Sequence, residues 1–179
     1  MDQLQGGRWL YLLASGVTIR PEGGIDALGI HAAPGLVGAF AVAADADGAP
    51  QYLGASDALM SGSFGDAGAS AARLATIGAE THAWVFVSGG TWQGVSVGAW
   101  RILAPQEGRF IDLSTIPAIR EDDPTHRYDI KFDASNPERR LFPLIVTKRA
   151  QARGGSDEPE RFVVPFDPTT QRYQMPQNR

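Results

Sequence analysis

Cysteine is missing altogether from this chain of 179 residues, which excludes disulfides, thiolate metal sites and cysteine nucleophiles. Lysine is scarce: of 16 basic residues only Lys131 and Lys148 are not arginine, a bias that, with the abundance of Ala and Gly, we read as genomic base composition. Both lysines lie far downstream of the glycine-rich half. The chain therefore has no Gly-Lys-Ser/Thr phosphate loop, and it has no strand-GxGxxG-helix unit either. Histidine is limited to His31, His82 and His126, with no His-x-x-x-His or Glu-x-x-His spacing, so a zinc site has no local support. No apolar run approaches the roughly 20 residues of a membrane helix, and no membrane span is expected. The opening Met1-Asp2-Gln3-Leu4-Gln5-Gly6-Gly7 lacks the basic region and apolar stretch of a signal peptide. Two compartments stay open: the cytoplasm, or the periplasm for a mature domain whose leader has been removed. The formal net charge of -4 argues against nucleic acid as the main partner.

What is present is material for one β-rich core. Hydrophobic residues make up 43% and charged residues 20%, a balance that fits a soluble globular domain rather than disorder. The chain is read as one domain over 1–179. Residues 106–179 are the more highly charged, which marks a subdivision near residue 105, but the Pro105-Gln106-Glu107-Gly108 sequence there reads as a turn rather than a linker. The dominant period is two. In Tyr128-Asp129-Ile130-Lys131-Phe132-Asp133 the apolar residues alternate with charges, so Tyr128, Ile130 and Phe132 are expected to point inward. Ala83–Val87 and Leu141–Val146 are apolar on both faces and read as covered strands, with Pro143 marking a bulge or edge. Further strands are expected at Arg8–Leu13, Leu36–Ala43, Gln51–Gly54, Gly94–Leu103, Arg109–Leu113, Arg161–Phe166 and Arg172–Met175. Turn signals fall between them, including Asp45-Ala46-Asp47-Gly48, Gly89-Gly90 and Ser135-Asn136-Pro137. The pattern predicts a mainly β fold, an antiparallel sandwich or barrel-like meander with at most one or two short helices. Ala67–Ile77 is the best helical window, although Arg73–Ile77 also reads as a strand. Leu141–Lys148 and Arg161–Phe166 are expected to pair as a hairpin across a polar connection.

The candidate chemistry is thin, and no catalytic residue, metal ligand or cofactor is assigned. Gly94-Val95-Ser96-Val97-Gly98 matches the G-x-S-x-G nucleophile pattern, but β-favouring Ala99-Trp100-Arg101-Ile102-Leu103 follows where a helix should begin, so Ser96 reads as a strand residue. Glu121-Asp122-Asp123-Pro124-Thr125-His126 gathers three carboxylates and an imidazole, enough for a divalent cation, yet Arg120 and Arg127 beside it suit an ordinary solvated connection. In Ser88-Gly89-Gly90-Thr91-Trp92-Gln93-Gly94 a Trp stands between glycine pairs at an apparent loop tip, where polar residues are the rule.

These features favour a non-enzymatic protein-binding module, in concrete form a bacterial inhibitor or toxin-immunity protein. Its partner is expected to be another protein, a toxin or an enzyme. Trp92 and Gln93 are the candidate anchor, and Asp122, Asp123, His126 and Arg127 a polar rim. The alternatives are a small hydrolase using Ser96 or the Glu121–His126 loop, and a glycan- or small-ligand-binding β-module with Trp92 as stacking platform. As an anchor, Trp92 truncated to Ala weakens partner binding by about 2 kcal/mol at little cost in stability. As a core residue it instead destabilises the fold by roughly 3–5 kcal/mol. A melting curve and a binding titration on Trp92→Ala separate the two outcomes.

Overall fold

The computed structural model describes residues 8–16, 33–44, 47–63, 66–151 and 158–176. Strands dominate it, in antiparallel sheets that do not close into a barrel. The first sheet has the order β1-β2-β3, built from β1 (Arg8–Gly16), β2 (Gly35–Ala44) and β3 (Pro50–Ser61). The second runs β4-β5-β6-β7, from β4 (Arg73–Thr76), β5 (His82–Trp92), β6 (Val95–Gln106) and β7 (Arg109–Asp112), with β8 (Pro117–Ile119) also on β6. The third has β10 (Leu144–Ala150) between β9 (His126–Phe132) and β11 (Glu160–Val164). A short ladder of β12 (Phe166–Asp167) and β13 (Arg172–Tyr173) follows.

The second sheet is buried on both faces because its residues alternate between two apolar clusters. Ala83, Val85, Ile102 and Ala104 join one cluster with Tyr128, Ile130, Leu144, Val146 and Val164 of the third sheet. Phe86, Leu103 and Phe110 point the other way, into a second cluster with Val37, Ala39 and Ala41 of β2. The first sheet curls over this second cluster. At one side β3 lies against β7, where Ala55 N donates to Gly108 O at 3.2 Å and Phe110 N donates to Ser56 Oγ at 3.0 Å. At the other side the rings of Trp9 and Tyr11 on β1 stand 6.2 and 5.8 Å from that of His82 at the start of β5.

Tyr173 fastens the chain end to this core. Its amide donates to Leu113 O at 2.7 Å and its carbonyl accepts from Thr115 N at 3.0 Å. Its fully buried ring sends the hydroxyl to Phe142 O at 2.8 Å. The 77–81 turn is held just as closely: Phe142 N donates to Ile77 O at 2.7 Å, and a Cβ on Gly78 would fall 1.8 Å from Arg140 O, so only glycine fits there.

The expected strands form, with revised limits. Tyr128 and Ile130 are buried and Phe132 packs on the same core, while Asp129 and Lys131 face away. β10 and β11 pair antiparallel, Val146 opposite Phe162; the 152–157 connection between them lies outside the described residues, as do Asp45, Ala46 and His31. Ala67–Ile77 is not a helix: a three-residue 3-10 turn at Ala69–Ala71 gives way to β4, because Arg73–Thr76 finds ladder partners on β5 from Val85 to His82. Pro143 precedes β10 rather than interrupting it, its carbonyl accepting from Asp133 N at 2.8 Å. Gly89-Gly90 is not a turn. Gly89 lies within β5 opposite Gly98, where a Cβ would come 2.0 Å from Val97 O.

Tyr173→Phe leaves the Phe142 carbonyl buried without its donor and is expected to cost about 1–2 kcal/mol in urea unfolding, whereas Tyr173→Ala opens a cavity worth roughly 4 kcal/mol. Burial raises the ionisation of both Tyr173 and Tyr11 above the ordinary tyrosine value. Unfolded chains lose those protons near pH 10 while the native chain keeps them, so stability holds below about pH 10 and falls above it. In Tyr173→Phe that alkaline decline is shallower.

Candidate functional site

The third sheet presents its core-facing residues in rows. Leu144, Val146 and Lys148 alternate on β10; Phe132, Ile130 and Tyr128 stand opposite them on β9, and Val164, Phe162 and Glu160 on β11. Two rows are apolar and enter the core. In the last, Tyr128-Lys148-Glu160, the core runs out, and the charged ends border an open cleft of about 690 Å³. Arg120, Asp122 and Asp123 from the β8–β9 connection close one side, and Met175 and Pro176 after β13 close another, with Phe162 and the buried Tyr128 below.

The connection is shaped by its own polar contacts. Arg120 Nε donates to Asp122 Oδ1 at 2.7 Å, and Nη2 binds the second oxygen, a forked pair. The pairing raises the guanidinium above its ordinary value and lowers the Asp122 carboxyl. Asp123 is the hub: Lys148 Nζ reaches Oδ2 at 2.7 Å, His126 Nδ1 lies 2.6 Å from Oδ1, and Thr125 Oγ1 donates to Oδ1 at 3.1 Å. Lys148 first, then His126, hold the Asp123 carboxyl well below the usual carboxylate range, and Lys148 is raised in return. Lys148 Nζ also stands 5.9 Å from the centre of the Tyr128 ring. Trp100 Nε1 donates to Tyr128 O at 2.7 Å, anchoring this end of β9 to the second sheet.

Of the residues singled out in the sequence, Asp122 and Asp123 line the cleft, and His126 is tied to it through Asp123. Arg127 alternates to the other face of β9, 3.8 Å from Asp129. The acids do not converge as a metal centre would require. Asp122 turns to Arg120 and Asp123 to Lys148 and His126, and among the described residues no three His, Asp or Glu side chains form a metal-holding group. Gln93 and Gly94 form the two-residue β5–β6 turn, both with positive φ (50° and 83°), as a primed hairpin turn requires. Trp92 is therefore the last ladder residue of β5, opposite Val95, rather than part of the loop tip; its side chain lies outside the described set. Gln93 is not among the described residues that line the cleft. Ser96 lies on the regular strand β6, its hydroxyl 2.9 Å from that of Thr91, so Gly94–Gly98 is no strand-to-helix elbow.

Two sets of residues escaped the sequence reading. Lys148 and Glu160 occupy core-phase positions of strands otherwise apolar in that phase, and that misplaced charge was the available signal. The second set is the outer face of the first sheet, where Leu10 (50% exposed), Leu12 (52%), Phe40 (41%), Tyr52 (62%) and Met60 (73%) stand in solvent. Comparison with known protein families, curated proteins and solved structures finds no match.

Asp123→Asn removes the negative charge that Lys148 and His126 share and one of the two acceptor oxygens they use. These partners are only partly buried, so the expected loss at pH 7 is about 1 kcal/mol or less. A lowered native carboxyl contributes above its unfolded value and loses that contribution on acidification. Wild type and variant should therefore converge in denaturant midpoint as the pH falls below about 4.

Proposed function

We propose that this protein is a non-enzymatic protein-binding module that takes a basic segment of its partner into the β9–β11 cleft. The observation that carries the reading is the cleft's charge account. Arg120 and Lys148 are each engaged by an acid, Asp122 and Asp123, while exposed Glu160 has no ion pair within 4 Å among the described residues. That carboxylate, which faces the already engaged Lys148 across the ladder without an ion pair to it, borders the cleft with Phe162, Met175 and Pro176 and suits a lysine or arginine side chain, whose alkyl stem covers apolar surface while its head meets the acid. The net charge of -4 attracts a basic partner before contact. The concrete form we propose is an inhibitor or immunity-type protein, which acts by occupying a partner's surface and needs no reacting group of its own.

The test is a titration of the full chain with an arginine- and lysine-rich peptide and with its acidic counterpart, followed by amide NMR. Under this reading the basic peptide shifts Tyr128, Lys148, Glu160 and Phe162, affinity falls as salt rises, and Glu160→Gln weakens binding about tenfold, or about 1.4 kcal/mol. Equal binding of the acidic peptide, or shifts confined to other surfaces, refutes it.

A further inference from the structure

The outer face of the first sheet carries a second, independent inference. The ladder registers place Leu10 opposite Val42 and Val42 opposite Tyr52, then Leu12 opposite Phe40 and Phe40 opposite Ala55. Directly paired residues project from the same side of a sheet, so these side chains form a continuous apolar strip across three strands. Met60, opposite Leu36, extends it along β3. The opposite phase (Tyr11 and Leu13 on β1, Val37, Ala39 and Ala41 on β2) does fill the inner cluster or pack against its margin, so β1 and β2 are apolar on both faces. A sheet of this kind is expected where both faces are covered.

We infer that a second copy of this chain covers the strip, through face-to-face packing of two first sheets about a two-fold axis. Charge is the first argument. A chain of net charge -4 repels its own copy, yet on β1 and β2 the outward phase from Leu10 to Ala14 and from Leu36 to Ala44 contains no ionisable side chain. Contact along that stretch of β1 and β2 brings no like charges together; Asp57 on β3, exposed beside Gly38, borders it. A two-fold interface also requires a patch complementary to itself, which a row of Leu, Val and Phe satisfies in a way that a charged patch does not. Area is the second argument. At about 200 Å² for a large side chain, the five exposed residues leave roughly 500 Å² of apolar surface per copy, so a pair hides roughly 1,000 Å², the floor for a specific interface. Stacked sheets about 10 Å apart interdigitate such side chains as a sandwich core does.

The experiment is the solution mass of the full chain by light scattering, across about 1–100 µM, where an interface of this size assembles. The expected mass is twice 19.1 kDa, with Leu12→Lys and Phe40→Lys each shifting dimer dissociation to at least tenfold higher concentration. Both positions are solvent-exposed in one copy, so circular dichroism should show both variants folded. Val163→Lys, at an exposed apolar position on β11, should remain dimeric. A wild-type monomer throughout the range overturns the inference, as does a dimer indifferent to both lysine variants. A monomer that instead binds anionic or neutral lipid vesicles through Leu12 and Phe40 overturns it in favour of a membrane surface. Because the cleft lies on a different sheet, loss of peptide binding by Glu160→Gln leaves this result unaffected, and the two readings fail separately.

Discussion

Burial of the β5–β6 hairpin on both of its faces is the constraint on which the rest of the architecture depends. Ala83 and Val85 face one way and Trp84 and Phe86 the other, with Ile102 and Leu103 repeating the division on β6. No single sheet covers both sides. The first sheet must curl over one face and the third must pack on the other, and neither arrangement is sufficient alone, since apolar surface left in water costs about 25 cal/mol per Å². The hairpin's glycines follow from the same constraint. Gly89 stands opposite Gly98 where the facing backbone leaves it no room for a Cβ, and the Gln93-Gly94 turn supplies the two positive φ angles that a tight return between twisted strands needs.

Function, on the reading proposed here, arises where this packing ends. The third sheet is one row longer than the core it covers, so the row of Tyr128, Lys148 and Glu160 stands at the margin, Tyr128 buried, Lys148 partly exposed and Glu160 in water. A lysine there needs an acid, and the β8–β9 connection provides Asp123 together with His126 and the separate Arg120–Asp122 fork. Those contacts spend two of the cleft's three carboxylates on its own cations. On that reading the specificity of the cleft would rest on the third, Glu160, which forms no ion pair within 4 Å among the described residues. Tyr173 sets the remaining wall, because its three main-chain and hydroxyl contacts to Leu113, Thr115 and Phe142 fix where Met175 and Pro176 run.

Much of this framework is legible in the sequence, and the illegible parts share a cause. Period-two alternation at Tyr128–Phe132 identifies a strand and its inner face from local pattern alone, and the run at Ala83–Val87 correctly reads as doubly covered. The β10–β11 hairpin is readable because two β-rich segments flank a polar connection. Arg73–Thr76 is ambiguous locally, since its ladder on β5 is a tertiary contact that outweighs an alanine-rich prelude. The left side of the cleft, Asp122 and Asp123, shows as an acidic run. The other side, Glu160 and Phe162, looks like ordinary strand until the register places it beside Lys148. Leu10 and Leu12 pose the same difficulty in reverse: apolar residues in both phases signal two-sided burial, and sequence carries no information on whether the second cover is the chain itself.

The two surfaces differ in the force that would operate at each, and this makes their effects separable. On the proposed reading the cleft would act through the exposed Glu160 carboxylate, and its attraction would weaken as salt shortens the screening length toward the dimensions of the site, about 8 Å at physiological ionic strength. From Leu10 to Ala14 on β1 and along β2 the outward phase carries no charge, and an interface built from it would hold or tighten as excluded salts such as sulfate strengthen apolar burial. The first and third sheets contribute to different clusters on opposite faces of the second, so a partner segment in the cleft does not compete with a second copy on the strip. Two copies joined at the strip would present two clefts. A partner with repeated basic segments would then gain from effective concentration what a single shallow, half-screened site does not provide, to an extent set by the span between its segments.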